Sequence, residues 1–269
     1  MTLSAIIITK NSANTLETCL ASLSFADEII LLDSGSTDDT LIIARRYTDQ
    51  VFQTDWPGFG SQKNRALDKA AGDWVFSIDS DEWVSDDLRA SIQSAMQQNQ
   101  RMVFQLRRRN NYCGHWVKFG DVGKDYVTRL FKRGAARFSD DIVHERIITS
   151  EKIGTLQGLL YHNSYPSYEA LIDRMNRYTT LSAAQRFARG KRSSFFRAIF
   201  SGLWAFLRSY VIRLGFLDGK TGYVVAMSSG QSSFYRHIKL LALDTAKFYL
   251  ISKKVFHNDE NKQIMTKNN

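Results

Sequence analysis

The stretch Trp74-Val75-Phe76-Ser77-Ile78-Asp79-Ser80-Asp81-Glu82 decides how this chain is read. An apolar run stops abruptly in carboxylates. A short apolar run bounded by turn signals reads as a buried strand. A strand that ends in Asp-Ser-Asp puts two acids at the carboxyl edge of a sheet, and in open α/β sheets ligands bind at that edge. Two neighbouring carboxylates repel unless something positive lies between them, and a divalent cation commonly fills that role.

Working outward, the same pattern recurs. Leu3 to Thr9 reads as a buried strand, followed by the turn Lys10-Asn11-Ser12. Asn14 with Glu17 resembles a capping box, and Leu16, Leu20 and Leu23 follow helical spacing. Glu28 to Asp33 is a second buried strand that ends in an acid, with Ser34-Gly35-Ser36-Thr37-Asp38 after it. A helix is expected from Thr37 or Asp38, then a short strand over Gln50–Thr54. Ser61 is expected to cap a helix reaching Ala71, and Ser85 to Gln98 is another, with Asp86 and Asp87 in its first turn. Strands alternating with helices indicate βαβ units and a parallel sheet covered on both faces.

Beyond about residue 100 the pattern changes. Met102–Leu106, Val127–Phe131 and Leu156–Tyr161 read as strands with few helices between them, so antiparallel additions are expected. From Ser167 the chain reads as helical over 167–189, 194–217 and 232–256, with a polar tail. The expected organisation is a catalytic domain over 1–165 (halves 1–100 and 101–165), a helical extension over 166–257 and a flexible tail over 258–269.

The formal net charge is +9, and it is unevenly placed. Arg174 to Leu217 holds nine basic residues and no acid, which points to an anionic surface as partner. No helix-turn-helix, zinc finger or RNA-stacking motif is present, so nucleic acid is not the expected partner. Segment 194–217 is long enough to span a membrane, but Arg197, Arg208 and Arg213 interrupt it. An arginine at a span's centre costs about 2.5–3.5 kcal/mol on the insertion scale. A helix lying in the membrane interface fits better. Cys19 and Cys113 are isolated, as suits a reducing compartment, and Met1 to Lys10 lacks the features of a secretory signal.

Three segments fall on one predicted edge: Thr9-Lys10-Asn11, Asp33 with its turn, and Asp79-Ser80-Asp81. A carboxylate at Asp33 can accept from a nucleobase N–H or a ribose hydroxyl, and Arg65 can meet a phosphate with its planar guanidinium. Lys118, Lys124 and Arg129 read as solvated surface charge.

The ordered set Ile-Ile-Thr-Lys-Asn (7–11), Leu-Asp-Ser-Gly-Ser-Thr-Asp-Asp-Thr (32–40), Lys-Asn-Arg-Ala-Leu (63–67), Gly-Asp-Trp-Val-Phe-Ser-Ile-Asp-Ser-Asp-Glu (72–82) and Val-His-Glu (143–145) resembles the family 2 glycosyltransferases of the GT-A fold. More narrowly it is similar to the lipopolysaccharide core β-glycosyltransferases, which include the core β-1,4-glucosyltransferases, and Leu214–Tyr223 supports that likeness. The resemblance implies a Rossmann-like, mostly parallel central sheet with helices on both faces, plus a C-terminal helical extension that associates with membrane. It implies inverting transfer of a hexose, glucose first, from a UDP-type nucleotide-sugar, with Mg2+ or Mn2+. Carried over, it assigns Asp33 to the base, Thr9 and Arg65 to the nucleotide pocket, Asp79 to the ribose or metal region and Asp81 to the metal. Beside it, the residues themselves group Asn11 with the nucleotide-sugar and set His162 as a metal or diphosphate contact against a structural histidine. Glu145 is the expected base and His144 its competitor. Ser34 departs from the pattern, since many relatives carry a second Asp there. The implied acceptor is a lipid-linked saccharide of inner core lipopolysaccharide, met by a cytoplasmic protein peripheral on the inner membrane. Two other readings stand beside this one: a nucleotidyltransferase on a related fold, which lacks its Gly-rich loop after Ile8, and a non-catalytic binder of anionic membrane.

Overall fold

The computed structural model describes residues 1–139 and 146–266, with side chains followed to residue 245. The chain divides into two compact units, Met1–Trp116 with Val122–Ser164, and Val117–Asp121 with Tyr165–Asn269.

In the first unit the elements run β1 (Leu3–Thr9), α1 (Ala13–Ala21), β2 (Glu28–Asp33), α2 (Thr40–Ala44), β3 (Val51–Gln53), α3 (Phe59–Leu67), β4 (Trp74–Asp79), β5 (Glu82–Val84), α4 (Asp86–Gln98), β6 (Val103–Tyr112), β7 (His115–Trp116), β8 (Asp125–Lys132), β9 (Arg137–Phe138), β10 (Ile147–Ile148) and β11 (Ile153–Tyr165). One sheet has the order β3-β2-β1-β4-β8-β6-β11-β5, with β7 on β6. The first four strands are parallel. Strands β8, β6, β7 and the β5–β11 pair are antiparallel. The sheet is therefore mixed, and its parallel half comes from the continuous apolar runs. Every residue of β1 is buried, as expected of a strand covered on both faces. Ala5, Ile7, Leu31, Phe76 and Ile78 face a cluster with α1 and α4; Ile6, Ile8, Ile30, Leu32 and Val75 face one with α3.

Several expected boundaries move. Ser12, not Asn14, precedes α1 and makes no side-chain cap. Gly58, at φ +118°, precedes α3 in place of Ser61. Ser85 does cap α4, its Oγ accepting from the Leu88 N–H at 3.2 Å.

In the second unit, α5 (Tyr168–Ala188) begins at a Ser167 cap. The single helix expected over 194–217 is instead α6 (Phe195–Leu207), a π turn over Arg208–Ile212, Leu214 in the left-handed region, and a 3-10 turn over Gly215–Asp218. An ion-pair cluster stands at the break. Asp121 binds Arg208 at 2.6 Å and Arg213 at 2.9 Å, so both guanidiniums converge on one carboxylate. Asp218 then accepts the Lys118 and Phe119 N–H groups at 2.9 and 2.8 Å. The last helix, α7 (Gly219–Thr266), starts well before the expected residue 232, and its backbone continues into the expected tail.

Candidate active site

Strand register gathers the site. Thr9 stands beside Asp33, Ile8 beside Asp79, and Asp33 beside Gln53, so β3, β2, β1 and β4 end along one edge. The turns after them are tied together. Ser12 Oγ and Ser80 Oγ lie 2.9 Å apart, and the Asn11 N–H donates to Ser36 Oγ at 2.8 Å. Asn11, at φ +50°, also accepts the Thr37 N–H at 2.8 Å. Asn11 therefore spends its amide joining two turns.

Asp33 does not present its carboxylate as the sequence suggests. It is fully buried. Its Oδ2 accepts the Gly35 and Ser36 N–H groups at 3.0 and 2.9 Å, and its Oδ1 accepts the Ser36 hydroxyl. Gly35 adopts φ +83° to close that loop, a conformation open to glycine at little cost. In this arrangement Asp33 shapes the turn. The Thr9 hydroxyl, by contrast, is buried without a hydrogen-bond partner among the described residues.

Beside the Asp33 end of β2 opens a cavity of about 480 Å3, lined by Leu32, Thr54, Asp55, Arg65, Asp68 and Lys69. Arg65 stands at this cavity and pairs with Asp55 at 2.6 Å.

The positive charge beside Asp79 comes from the protein itself. Lys63 Nζ, from α3, lies 2.9 Å from its Oδ1, and Arg129, from β8, lies 2.5 Å from its Oδ2. Arg129 also reaches Glu82 at 2.9 Å. Arg108 links Glu82 at 3.0 Å to Asp125 at 2.8 Å. Three cations thus meet three carboxylates. Glu82 is fully buried and accepts the Asp79 N–H at 3.0 Å, which ties the acid after the strand to the strand's end. Burial alone would raise the Asp79 carboxyl, but the Arg129 guanidinium and the Lys63 ammonium outweigh it and hold the group well below the usual carboxylate range. Arg129, read from sequence as solvated surface charge, is 5% exposed and central to this network. Asp79 is thus kept ionised by protein cations alone.

Asp81 is different. His162 Nε2, from β11, lies 3.3 Å from its Oδ2. The other ring nitrogen fixes the tautomer. Asn110 donates through Nδ2 to Asp125 Oδ2 at 3.0 Å, so its Oδ1 faces the histidine. His162 Nδ1 lies 2.7 Å from that carbonyl oxygen and must carry the proton. Ser164 donates to the same oxygen at 2.9 Å. The other ring nitrogen, Nε2, is thereby left facing the carboxylate oxygen of Asp81. A proton on Nε2 answers that oxygen in an ion pair, and a cation shared with Asp81 answers it equally well; an imidazole oriented through its far N–H is the usual form of a metal-ligating histidine. The pair fits a divalent cation as a two-residue donor set; among the described residues no group of three or more His, Cys, Asp or Glu side chains gathers to hold one. His144 and Glu145 lie outside the described residues.

The residues that sequence reasoning missed are Glu82, Arg108, Asn110 and Asp125. A signal existed for one of them. Glu82 closes the acidic run but is followed by Trp83-Val84, which pair with β11 as a strand.

Comparison with known proteins gives a consistent result. The model of the family described as "Glycosyl transferase family 2" matches residues 4–151. The chain is 30% identical to the uncharacterized glycosyltransferase RP128 of Rickettsia prowazekii, over 95% of this chain and 92% of that protein. It is 31% identical to the lipopolysaccharide core biosynthesis glycosyltransferase LpsC of Rhizobium meliloti, over 87% and 93%. A solved structure, glucosyl-3-phosphoglycerate synthase from Mycobacterium tuberculosis with Mg2+ and uridine diphosphate, is 27% identical over 41% of this chain and 44% of its own, with a TM-score of 0.35. So partial a likeness carries no conclusion for this chain.

Proposed function

The chain belongs to glycosyltransferase family 2, and from that premise we propose that it transfers a hexose, glucose first, from a UDP-linked donor to a hydroxyl of lipopolysaccharide inner core or a related cell-surface glycolipid, with inversion. That it is a glycosyltransferase follows from the family; the donor, sugar and acceptor are our reading. The acceptor class is suggested by LpsC, named for lipopolysaccharide core biosynthesis.

One observation carries the assignment of the site: Nε2 of a tautomer-locked His162 faces Asp81 just beyond the edge where β1, β2 and β4 end together. Asp81 and His162 are the residues that would hold a Mg2+ or Mn2+ ion. Such an ion supplies Lewis-acid neutralisation of the diphosphate as it leaves. The chain's own groups do the rest. The Asp79–Lys63–Arg129 cluster fixes the carboxyl end of β4 and keeps its carboxylate ionised. Arg65 offers its guanidinium to the nucleotide at the cavity beside β2. The unpartnered Thr9 hydroxyl can bond to a donor oxygen at the sheet edge. We assign deprotonation of the acceptor to Glu145, with His144 as the alternative.

The test is release of nucleoside diphosphate from a panel of nucleotide-sugars, with Mn2+ or with a chelator. We expect turnover of a UDP-sugar that the chelator abolishes and that Asp81→Asn lowers by about 100-fold or more. Full activity in Asp81→Asn would reject the metal assignment. A bell-shaped pH profile that loses one limb in Glu145→Gln, and keeps it in His144→Gln, assigns the base.

A further inference from the structure

Helix α6 is amphipathic the wrong way round for a water-facing element. Its buried side is small: Ala198, Gly202 and Ala205 pack on α7. At Gly202 an added Cβ would stand 3.0 Å from Phe234 and 3.1 Å from the Gly230 oxygen, so the two helices cross almost backbone to backbone. Ser201 and Ser233 meet across the same contact at 2.6 Å. The outward side carries Phe196, Ile199, Phe200, Leu203, Trp204 and Leu207, with Phe196 71% and Phe200 66% exposed. At about 100° per residue these side chains cover an arc of about 140°. Val211, Ile212, Leu214, Phe216 and Leu217 continue the exposed apolar surface through the turns that follow. Soluble surfaces rarely leave so contiguous an apolar area open to water.

Charge narrows the occupant. Arg189, Lys191 and Arg192 are exposed in the turn just before α6. Arg197 sits at one border of the apolar arc, two turns from Trp204 on the same side of the helix. The segment Arg174–Leu217 has no acidic residue at all. A second protein surface would ordinarily bring polar rim contacts of both signs. A broad apolar arc edged by cations and a tryptophan matches a bilayer interface with anionic headgroups. Phe195–Ile212 is also long and apolar enough to cross a membrane by length and composition alone. A span is disfavoured because α6 ends at Leu207 and the chain turns where Arg208 and Arg213 are bound to Asp121.

We infer that α6 and the turns after it form a docking surface that lies in the headgroup region of an anionic bilayer, with Phe196, Phe200, Leu203 and Trp204 inserted and Arg189, Lys191 and Arg197 on the lipid phosphates. The surface belongs to the second unit alone, so this inference stands independently of the donor-site reading.

The test is flotation of the full chain with vesicles of phosphatidylcholine, with or without about 30 mol% phosphatidylglycerol. The wild type floats with the anionic vesicles and loses binding as salt rises. Phe196→Ser/Phe200→Ser/Leu203→Ser removes only exposed side chains and keeps the wild-type circular dichroism, yet its partitioning falls by about tenfold or more. Arg189→Glu/Lys191→Glu weakens binding to anionic vesicles and leaves weak binding to neutral ones unchanged. Trp204 fluorescence is quenched by lipids brominated near the headgroup. Equal flotation of the triple variant overturns the proposal. So does resistance of the bound protein to a high-pH carbonate wash, which would mean a span. A wild type that ignores vesicles but dimerises through this face, with the triple variant monomeric, overturns it in favour of a second copy.

Discussion

Arg129 carries more of the site than any sequence cue suggests. It touches Asp79 and Glu82 together, and without it Asp79 keeps only Lys63 and Glu82 only Arg108. Removing one partner of a buried ion pair leaves an uncompensated charge and costs about 3–5 kcal/mol. Arg129→Ala should lower stability by about that amount in urea denaturation, whereas Arg65→Ala, which breaks an exposed pair, should leave the midpoint unchanged. The pH dependence follows from Asp79. Its folded-state pKa is depressed, so the stability it contributes is fully present above the unfolded value of about 3.9 and is lost as pH falls through the folded value. Asp79→Asn should therefore flatten the fall in stability below about pH 4. An unchanged acid limb would mean that Asp79 is not ionised more readily in the folded protein. Sequence alone could not place Arg129, because its partners lie 50 and 47 residues away along the chain. An arginine on an alternating strand reads as solvated until those partners are known.

At the scale of elements, β1, β2 and β4 were legible because burial on both faces leaves an uninterrupted apolar run. Strand β5 was not, since three residues beginning with an acid look like a loop. The C-terminal break was also hidden. The apolar pattern over 194–217 runs past Arg208 and Arg213, whose partner Asp121 lies far off in sequence. One backbone position fixes how β11 meets α4. Gly158 adopts φ +89°, and a Cβ there would stand 2.2 Å from the Leu88 nitrogen. Left-handed strain of about 1–2 kcal/mol and overpacking of about 1–3 kcal/mol both oppose a side chain. Gly158→Ala should lower the melting temperature by several degrees; an unchanged value would show that β11 can shift away from the start of α4. Cys19 belongs to the same layer. Burial, and behind it the Glu82, Asp81 and Asp79 carboxylates, pushes its thiol well above the usual range. It should resist alkylation in the native protein and react on unfolding. Rapid native labelling would contradict that burial.

For the molecule as a whole, the ordered motifs fall at adjacent strand ends of one sheet. The strand ends meet as the ordered motifs imply, but Asp33 turns inward to its own loop and Asp79 to two protein cations. The acid left nearest to a histidine is Asp81, beside His162 Nε2, and it is there that we propose a cation is held. Ligand binding to the native state raises stability by RT ln(1 + [L]/Kd), about 2.7 kcal/mol at a hundredfold excess, which in a chain of this size is a shift of about 5–10 °C. The decisive measurement is the melting temperature of wild type, Asp81→Asn and His162→Ala with UDP, with and without Mn2+. The account predicts a metal-dependent rise in the wild type and its loss in both variants, each compared with its own melting temperature without ligand. A full rise with UDP and Mn2+ in either variant would contradict it.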